Sequence, residues 1–194
     1  YYLGARSVDP LTTLYVIYTG EHSNETLESQ YANELVNLGC DVLAQNTGTD
    51  SSPLVAEENG IYFTGFNQNF SKKHTETVLV STNTDWSSYY TFALSCILSG
   101  DSIPQDWSRK FVDDSCYLTA LNESLAAPGT KETVELAVSA FTDGTLSVFS
   151  GPLYGKNSKG EILNLKDKEI YSDASNVSAP TFDYIIDGIT ILPQ

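Results

Sequence analysis

The chain has 194 residues, of which 41% are hydrophobic, so it is long enough and apolar enough to fold around a core of its own. Its formal net charge at pH 7 is −15, and its only basic run is Lys72-Lys73-His74, which argues against a nucleic-acid-binding surface. No apolar run approaches the roughly 18 residues that cross a bilayer, so we expect no membrane span.

Strands and helices are predicted to alternate over the first two-thirds of the chain. Strands are predicted where short β-branched and aromatic runs end at Gly or polar residues, and helices where apolar residues recur on one helical face between capping signals. The predicted strands are residues 13–20, 41–45, 61–66 and 76–82, and the predicted helices are residues 24–39, 53–58 and 85–100.

Local signals set the expected ends of these helices. Asn24 is a suitable N-cap for the first, and Pro53 suits the first turn of the second. Thr84 or Asp85 is expected to cap the third. In the first helix, acidic residues favour the first turn and a glycine can close the end: Glu25, Glu28 and Gly39. Its predicted buried face is Leu27, Tyr31, Leu35 and Leu38.

The element order predicts the fold class. Strands separated by helices of this length imply βαβ units, and therefore an α/β domain with a parallel sheet flanked by helices. A strand at residues 115–121, a helix at 129–144 and a strand with a hairpin at 145–165 follow, and residues 166–194 are less regular. Nothing marks a boundary, so residues 1–194 are taken as one unit.

Polar loops follow the predicted strands. In an open parallel sheet, ligands bind beyond the carboxyl ends of the strands. Candidate ligand contacts there are Asn46, Thr47, Gly48, Asn67 and Asn69, with Trp86 as a stacking wall. Three of the four strand-end loops lack basic residues, and the first has only His22, which suits a neutral polar ligand such as a sugar or nucleoside. The alternatives are that the loops are polar only because they are exposed, and that Trp86 is a core residue.

Catalytic and metal motifs are absent from the sequence. It contains no G-x-S-x-G, no Walker loop and no G-x-G-x-x-G, and the two histidines, His22 and His74, lie far apart. His74, beside two lysines, is expected to be a solvated surface residue. Cys40, Cys96 and Cys116 fit no zinc spacing. We therefore expect no metal, no cofactor and no enzyme, although a pair of carboxylates acting as acid and base stays open.

Four N-x-[ST] sequons are candidate glycosylation sites: Asn24, Asn69, Asn122 and Asn176. In a chain this rich in Asn, Ser and Thr, some would arise by chance. Together with the acidic, Lys-poor, Tyr-rich composition they favour a secreted, extracellular protein, such as a eukaryotic glycoprotein. A glycan on Asn69 would obstruct the predicted ligand site.

Several stretches, in order, resemble one known family. They are "YYLGARSVDP", "VIYTG", "ANELVNLGCDVLAQNTGTDSS", "AEENGIYFTGFNQN", "LVSTNTDWSSYYTFALSCILSG", "VFSGPLYG" and "YIIDGI". The ordered set resembles the basic membrane protein family of surface lipoproteins, the purine-nucleoside-receptor type of solute-binding protein. Residues 39–42 and 45–47, followed by Trp86 and Tyr89-Tyr90, carry most of the resemblance.

The resemblance implies a type I periplasmic-binding fold, in which two α/β lobes close around a small molecule without catalysis. Family members begin with another lobe, so this sequence is expected to be a carboxyl-terminal portion, with the first lobe missing or supplied by a separate chain. The family pattern places Thr47 and Gly48 in a ligand loop. Asn69 stands where an aspartate usually holds ribose hydroxyls, and His22 and Thr84 also depart from the pattern.

Two functional hypotheses follow. The first is a non-catalytic solute-binding module for a nucleoside-like or other small polar ligand. The second is a structural or assembly glycoprotein, or a receptor ectodomain, that has lost binding; homo-assembly would fit this hypothesis. The departures at His22, Asn69 and Thr84 favour the second.

Overall fold

The computed structural model describes residues 1–109, 115–172 and 181–193. Within these ranges, no helix combines the length and the apolar character needed to cross a membrane. A turn of 3-10 helix spans Phe70–Lys72. The helices and strands in chain order are α1 (Tyr2–Val8), β1 (Leu14–Val16), α2 (Glu25–Asn37), β2 (Val42–Ala44), α3 (Ser51–Glu58), β3 (Tyr62–Phe66), β4 (Val78–Thr84), α4 (Ser87–Ser99), β5 (Cys116–Leu118), α5 (Thr130–Thr142), β6 (Leu153–Lys156), β7 (Ile162–Leu165), β8 (Ile185–Ile186) and β9 (Ile189–Ile191).

The chain divides into two compact units, which we name by their place in the sequence. The terminal unit consists of Tyr1–Ile17, Pro104–Ser108 and Asp143–Gln194, and the central unit consists of Tyr18–Ile103 and Arg109–Thr142. The terminal unit is assembled from segments that are far apart in the sequence, and no shift in composition marks the boundaries between the two units.

The central unit is a four-stranded sheet with the order β2-β3-β4-β5. The first three strands are parallel, as the βαβ pattern predicts, and the α/β fold class is confirmed. β5 departs from a purely parallel sheet because it pairs antiparallel with β4, with Thr82 opposite Leu118. Parallel strands place their carboxyl ends at the same edge of the sheet, so the loops after β2 and β3 are neighbours.

The core of the central unit is formed by side chains from α2, α3 and the strands. Phe63, in β3, is fully buried and meets Phe70 edge to face, with ring centroids 5.8 Å apart. The other buried apolar members are Ala32, Leu43, Val55, Ala56 and Val78. Burying these side chains supplies the main driving force for folding this unit.

The buried face of α2 differs from the predicted one. Glu28 and Ala32 are buried, and Leu35 and Val36 pack on the core, whereas Leu38 is 49% exposed. The predicted buried face of α2 is therefore partly wrong, because the spacing of apolar residues does not reveal a buried carboxylate. Glu28 remains inside because its oxygens are hydrogen-bonded.

The helix ends follow the local signals at most positions. The Asn24 side chain accepts from the backbone N–H of Leu27, which confirms the predicted cap of α2. Gly100 ends α4 with φ +77°, a left-handed conformation that favours glycine. α4 begins at Ser87 and its N-cap is Trp86, so the prediction that Thr84 or Asp85 caps it is wrong, although the Asp85 carboxylate accepts from the N–H of Ser87. α3 begins at Ser51, before Pro53, so its predicted start is wrong by two residues.

The terminal unit contains two small sheets. β1 pairs in parallel with β9, Leu14 opposite Ile189, and a second sheet has the antiparallel order β7-β6-β8. The predicted hairpin is confirmed as β6 and β7. The short strands β8 and β9 lie in the segment that the sequence analysis leaves irregular.

The core of the terminal unit joins apolar and aromatic side chains. Tyr2, Leu153, Leu163 and Ile186 are buried. Phe149 stacks on Phe182 with ring centroids 4.0 Å apart, and further rings pack against this pair edge to face: Tyr171 and Tyr184. Aromatic rings thus pack beside the leucine and isoleucine side chains in this core.

Candidate ligand-binding site

The loop after β2, residues 46–50, is tied to two other strand-end segments of the central unit. The Gly48 N–H donates to the carbonyl of His22 at 2.8 Å. The Gln68 side-chain amide donates to the carbonyl of Gly48 at 2.9 Å. The structure therefore brings the loops after β2 and β3 together with the segment that contains His22, although β1, the strand before His22, pairs with β9 and is not part of the central sheet.

Gly48 lies where two of these loops approach each other closely. A Cβ atom at this position would stand 3.4 Å from the carbonyl oxygen of His22 and 3.5 Å from its ring Nε2. These are ordinary contact distances, so a methyl group fits but a larger side chain would displace the His22 ring. His22 thus lies directly against the predicted ligand loop.

Gln45 supports the loop from the end of β2. Its amide nitrogen donates to the carbonyls of Thr47 and Thr49, at 3.1 Å and 2.9 Å. Two buried polar atoms of this segment lack a hydrogen-bond partner within the described structure: Gln45 Oε1 and Thr47 Oγ1. Asn46 is exposed, so of the three predicted contacts in this loop its side chain is the most accessible.

Glu28 is a residue of this region that sequence analysis missed. It is 2% exposed, and its carboxylate accepts from the Thr49 hydroxyl at 2.7 Å and from the Asn24 N–H at 3.1 Å. The only sequence signal is an acidic residue near a helix start. Glu28 lies four residues after the N-cap, one residue later than in a capping box, so that pattern does not identify it.

Charge near the loop is locally compensated. Asp50, at its end, forms an ion pair with Lys73. In the described ranges, no group of three or more His, Cys, Asp and Glu side chains could hold a metal ion. The loop itself offers amides, hydroxyls and backbone groups, a set suited to hydrogen-bonding a neutral polar molecule.

The loop after β3 contains two predicted contacts. Asn67 has a left-handed backbone with φ +57°, a conformation that asparagine tolerates well, and its N–H donates to the carbonyl of Thr82. Asn69 is exposed and its side-chain oxygen accepts from the Ser71 hydroxyl at 2.6 Å. Both side chains stand at the same edge of the sheet as Gly48.

His74 anchors the far end of the loop after β3. It is 4% exposed, and its Nδ1 lies 2.7 Å from a carboxylate oxygen of Glu57 in α3. The expectation of a solvated surface histidine is therefore wrong. That expectation rested on the neighbouring Lys72 and Lys73, which are exposed, whereas the side chain of His74 is buried.

Trp86 immediately precedes α4 and is 53% exposed. The alternative that it is a core residue is wrong. Its ring meets that of Tyr89 in α4 edge to face, with ring centroids 6.3 Å apart.

The asparagines of the four sequons differ in whether their side-chain amides are hydrogen-bonded within the protein. Asn24 Nδ2 donates to the Glu21 carboxylate, and Asn122 Nδ2 donates to the carbonyls of Thr75 and Val78. Asn69 is exposed. Asn176 lies outside the described residues.

Comparison with known proteins adds a family to this geometry. A model for the Bmp family, described as ABC transporter substrate-binding protein PnrA-like, matches residues 1–111. A proposed ABC transporter glucose-binding protein of Haloferax volcanii, TsgA13, is 31% identical over 98 residues, which cover 50% of this chain and 25% of that protein. A purine-binding protein of Brucella abortus is 26% identical over 154 residues, which cover 78% of this chain and 43% of that protein.

A solved structure shares the fold. The solute-binding protein of an ABC transporter system from Conexibacter woesei superposes with a TM-score of 0.56 at 14% identity, covering 75% of this chain and 49% of that one. This chain thus spans less than half the length of each of these relatives.

Proposed function

Because the chain belongs to the PnrA-like family of ABC transporter substrate-binding proteins, we propose that it binds a neutral small molecule, a nucleoside or a sugar, without catalysis. The contacts would come from the loops after β2 and β3, through Asn46, Thr47, Gly48, Asn67 and Asn69. Trp86 would stack on a flat ring. The observation that carries this proposal is the hydrogen-bonded junction at the carboxyl ends of the parallel strands β2 and β3, where Gly48 bonds to Gln68 and also to His22.

The chemistry of the junction supports a neutral ligand. Its Asp50 carboxylate is paired with Lys73, and the buried Glu28 carboxylate is occupied by hydrogen bonds from Asn24 and Thr49, so the loop presents hydrogen-bonding groups to a ligand. One relative is named for purine binding and another for glucose binding, so both ligand classes belong in the test. The family setting also supports a location in the periplasm or at the cell surface.

The test is a thermal-shift and calorimetric screen of adenosine, guanosine, inosine, ribose and glucose against the purified protein. A ligand at about 100 times its Kd should stabilise the folded state by about 2.7 kcal/mol, which is a measurable rise in Tm. Asn46→Ala should weaken binding because it removes an exposed amide of the loop. Gln30→Ala, an exposed amide side chain of α2, is the matched control and should leave binding unchanged. The proposal is abandoned if the panel produces no shift.

A second candidate is a surface glycoprotein with no ligand. It is favoured by the exposed Asn69, whose sequon hydroxyl already bonds to the asparagine side chain. A glycan there would stand beside the proposed ligand loop. Mass measurement of native material before and after deglycosylation, with peptide mapping of Asn69, decides this candidate, and an unmodified Asn69 rules it out.

A further inference from the structure

Glu28 is a buried acidic side chain at the start of α2, far in sequence from the loop that it contacts. It is 2% exposed. Oε1 accepts from the Asn24 N–H at 3.1 Å, and Oε2 accepts from the Thr49 hydroxyl at 2.7 Å and from the Thr49 N–H at 3.4 Å. Among the described residues, the ion pairs do not include Glu28. Hydrogen bonds therefore supply the compensation that a buried carboxylate requires.

Thr49 is fixed by bonds on every polar group. Besides its two bonds to Glu28, its carbonyl accepts from Gln45 at 2.9 Å, and its hydroxyl accepts from the Ser51 N–H at 3.2 Å. The preceding residue, Gly48, donates its backbone N–H to the carbonyl of His22. Glu28 also holds Asn24, two residues after His22. One carboxylate thus bonds both segments that meet at the junction.

We propose that Glu28 is a positioning residue for ligand binding: it holds residues 46–50 in the conformation that receives the ligand. This inference rests on the proposed function. A loop that is already ordered loses little conformational freedom when a ligand binds, so its affinity is higher than that of a loop that must be ordered first. Removing the carboxylate releases Thr49 and Gly48 from one side and lowers affinity without removing any group that touches the ligand.

The principal variant is Glu28→Gln, which keeps the shape of the side chain. The amide nitrogen would have to face an N–H or O–H donor of Asn24 or Thr49, so at least one of the present bonds is lost. Thr49→Val removes the hydroxyl donor from the other side of the same bond, and Thr49→Ser retains it. Glu25→Gln is the matched control, because Glu25 is an exposed acidic residue in the first turn of the same helix.

Affinity for the nucleoside or sugar found in the screen is measured by calorimetry well below the Tm of every variant. We expect Glu28→Gln and Thr49→Val each to raise Kd about tenfold or more, the size of a lost charge-assisted bond. Thr49→Ser and Glu25→Gln should bind like the wild type. In the ligand-free protein, amide hydrogen exchange at Gly48 and Thr49 should accelerate in the first two variants only.

The outcomes separate this inference from the function on which it rests. If the wild type binds none of the ligands, both fail. If the wild type binds and Glu28→Gln has the same Kd but a lower Tm, the function stands and Glu28 is only structural. If Glu28→Gln does not fold, Thr49→Val against Thr49→Ser decides: equal affinities overturn the inference, and a loss confined to Thr49→Val supports it.

Discussion

At the scale of the residue, side-chain amides join backbone segments throughout the central unit. Each amide carries both a donor and an acceptor, so a single Asn or Gln can bond groups that lie apart in sequence. Gln68 bonds the carbonyl of Gly48, and Asn122 bonds the carbonyl of Thr75, 47 residues away. The uncharged polar residues that make the chain look loop-like in sequence are therefore part of what holds its loops in place.

Asn24 should contribute to stability as a helix cap. Asn24→Ala removes the acceptor for the N–H of Leu27, and we expect the free energy of unfolding to fall by about 1 kcal/mol. Asn24→Ser keeps a capping oxygen and should stay close to the wild type. Urea denaturation measures both. Equal losses in the two variants would show that the cap is not the cause.

The pair of the buried His74 and the half-buried Glu57 should be sensitive to truncation. Glu57→Ala leaves Nδ1 of a 4% exposed imidazole without its partner, at a cost of about 1–3 kcal/mol in unfolding free energy. Glu57→Gln retains an oxygen that can accept from Nδ1 and should cost less. Glu58→Ala, at the exposed neighbouring position, is the control for chemical denaturation. A loss no larger than that of Glu58→Ala would contradict a role for the pair.

The thiol of Cys40 should react slowly with alkylating reagents. Burial raises its pKa above the usual value, and the negative charge of Asp41 raises it further. Because the thiolate is the reactive form, a raised pKa lowers its fraction at pH 8, so Cys40 should react more slowly than the exposed Cys116.

Asp41→Asn removes the smaller of the two causes of the raised Cys40 pKa. The alkylation rate of Cys40 should therefore rise, by less than about tenfold. The Cys116 rate should stay the same. Peptide mass spectrometry after timed iodoacetamide labelling gives both rates, and an unchanged Cys40 rate would show that the charge of Asp41 does not act on the thiol.

At the scale of the element, β3 and β4 approach closely at a glycine. A Cβ atom at Gly65 would lie 2.6 Å from Phe70 Cδ2 and closer still to the hydroxyl of Ser81. Phe70 and Ser81 are both buried. The glycine is needed here for space rather than for an unusual backbone conformation, since two neighbouring elements fill the position of its missing side chain.

Gly65→Ala should therefore destabilise the central unit by about 1–3 kcal/mol through overpacking. Ser81 offers a matched test, because its buried hydroxyl has no hydrogen-bond partner among the described residues, so Ser81→Ala alone should cost little. In the Ser81→Ala background the closest clash is gone, and Gly65→Ala should cost less. Denaturation of the two single variants and the double variant forms a cycle, and strict additivity would contradict this account.

Sequence predicted those elements whose determinants are local. Asn24 and Gly100 act on backbone groups within a few residues, so the ends they set could be identified without a structure. The buried face of α2 and the buried state of His74 depend on contacts with Thr49 and Glu57, 21 and 17 residues away. No local pattern encodes such pairings.

The location of the candidate site could likewise be predicted from the sequence, but the residues that support it could not. Its place at the ends of parallel strands follows from the βαβ pattern, because topology fixes where those ends lie. The contact of His22 with Gly48, and the support of the loop by Glu28, arise only when α2 packs against α3, the helix that follows the loop. A sequence pattern can thus locate the loop, whereas the residues that hold it require coordinates.

At the scale of the whole molecule, each unit has its own hydrophobic cluster. All members of the cluster that contains Phe63 and Val78 lie between Ala32 and Val78, within the central unit. The cluster that contains Tyr2, Leu153 and Ile186 draws on both ends of the chain, because β1 pairs with β9. The central unit is therefore nearly continuous in sequence, and the terminal unit is not.

This difference predicts that residues 18–142 can fold alone. The fragment contains the complete β2-β3-β4-β5 sheet and every member of its cluster, so the burial that stabilises the unit remains available. We expect cooperative urea unfolding and a near-native circular dichroism signal for its helices.

Phe63→Ala in the same fragment removes a fully buried ring and should cost about 3–5 kcal/mol, enough to abolish a marginal fold. Leu54→Ala changes an exposed leucine of α3 and is the control. Non-cooperative unfolding of the fragment, beside cooperative unfolding of the 194-residue chain, would mean that the central core is not sufficient for the fold.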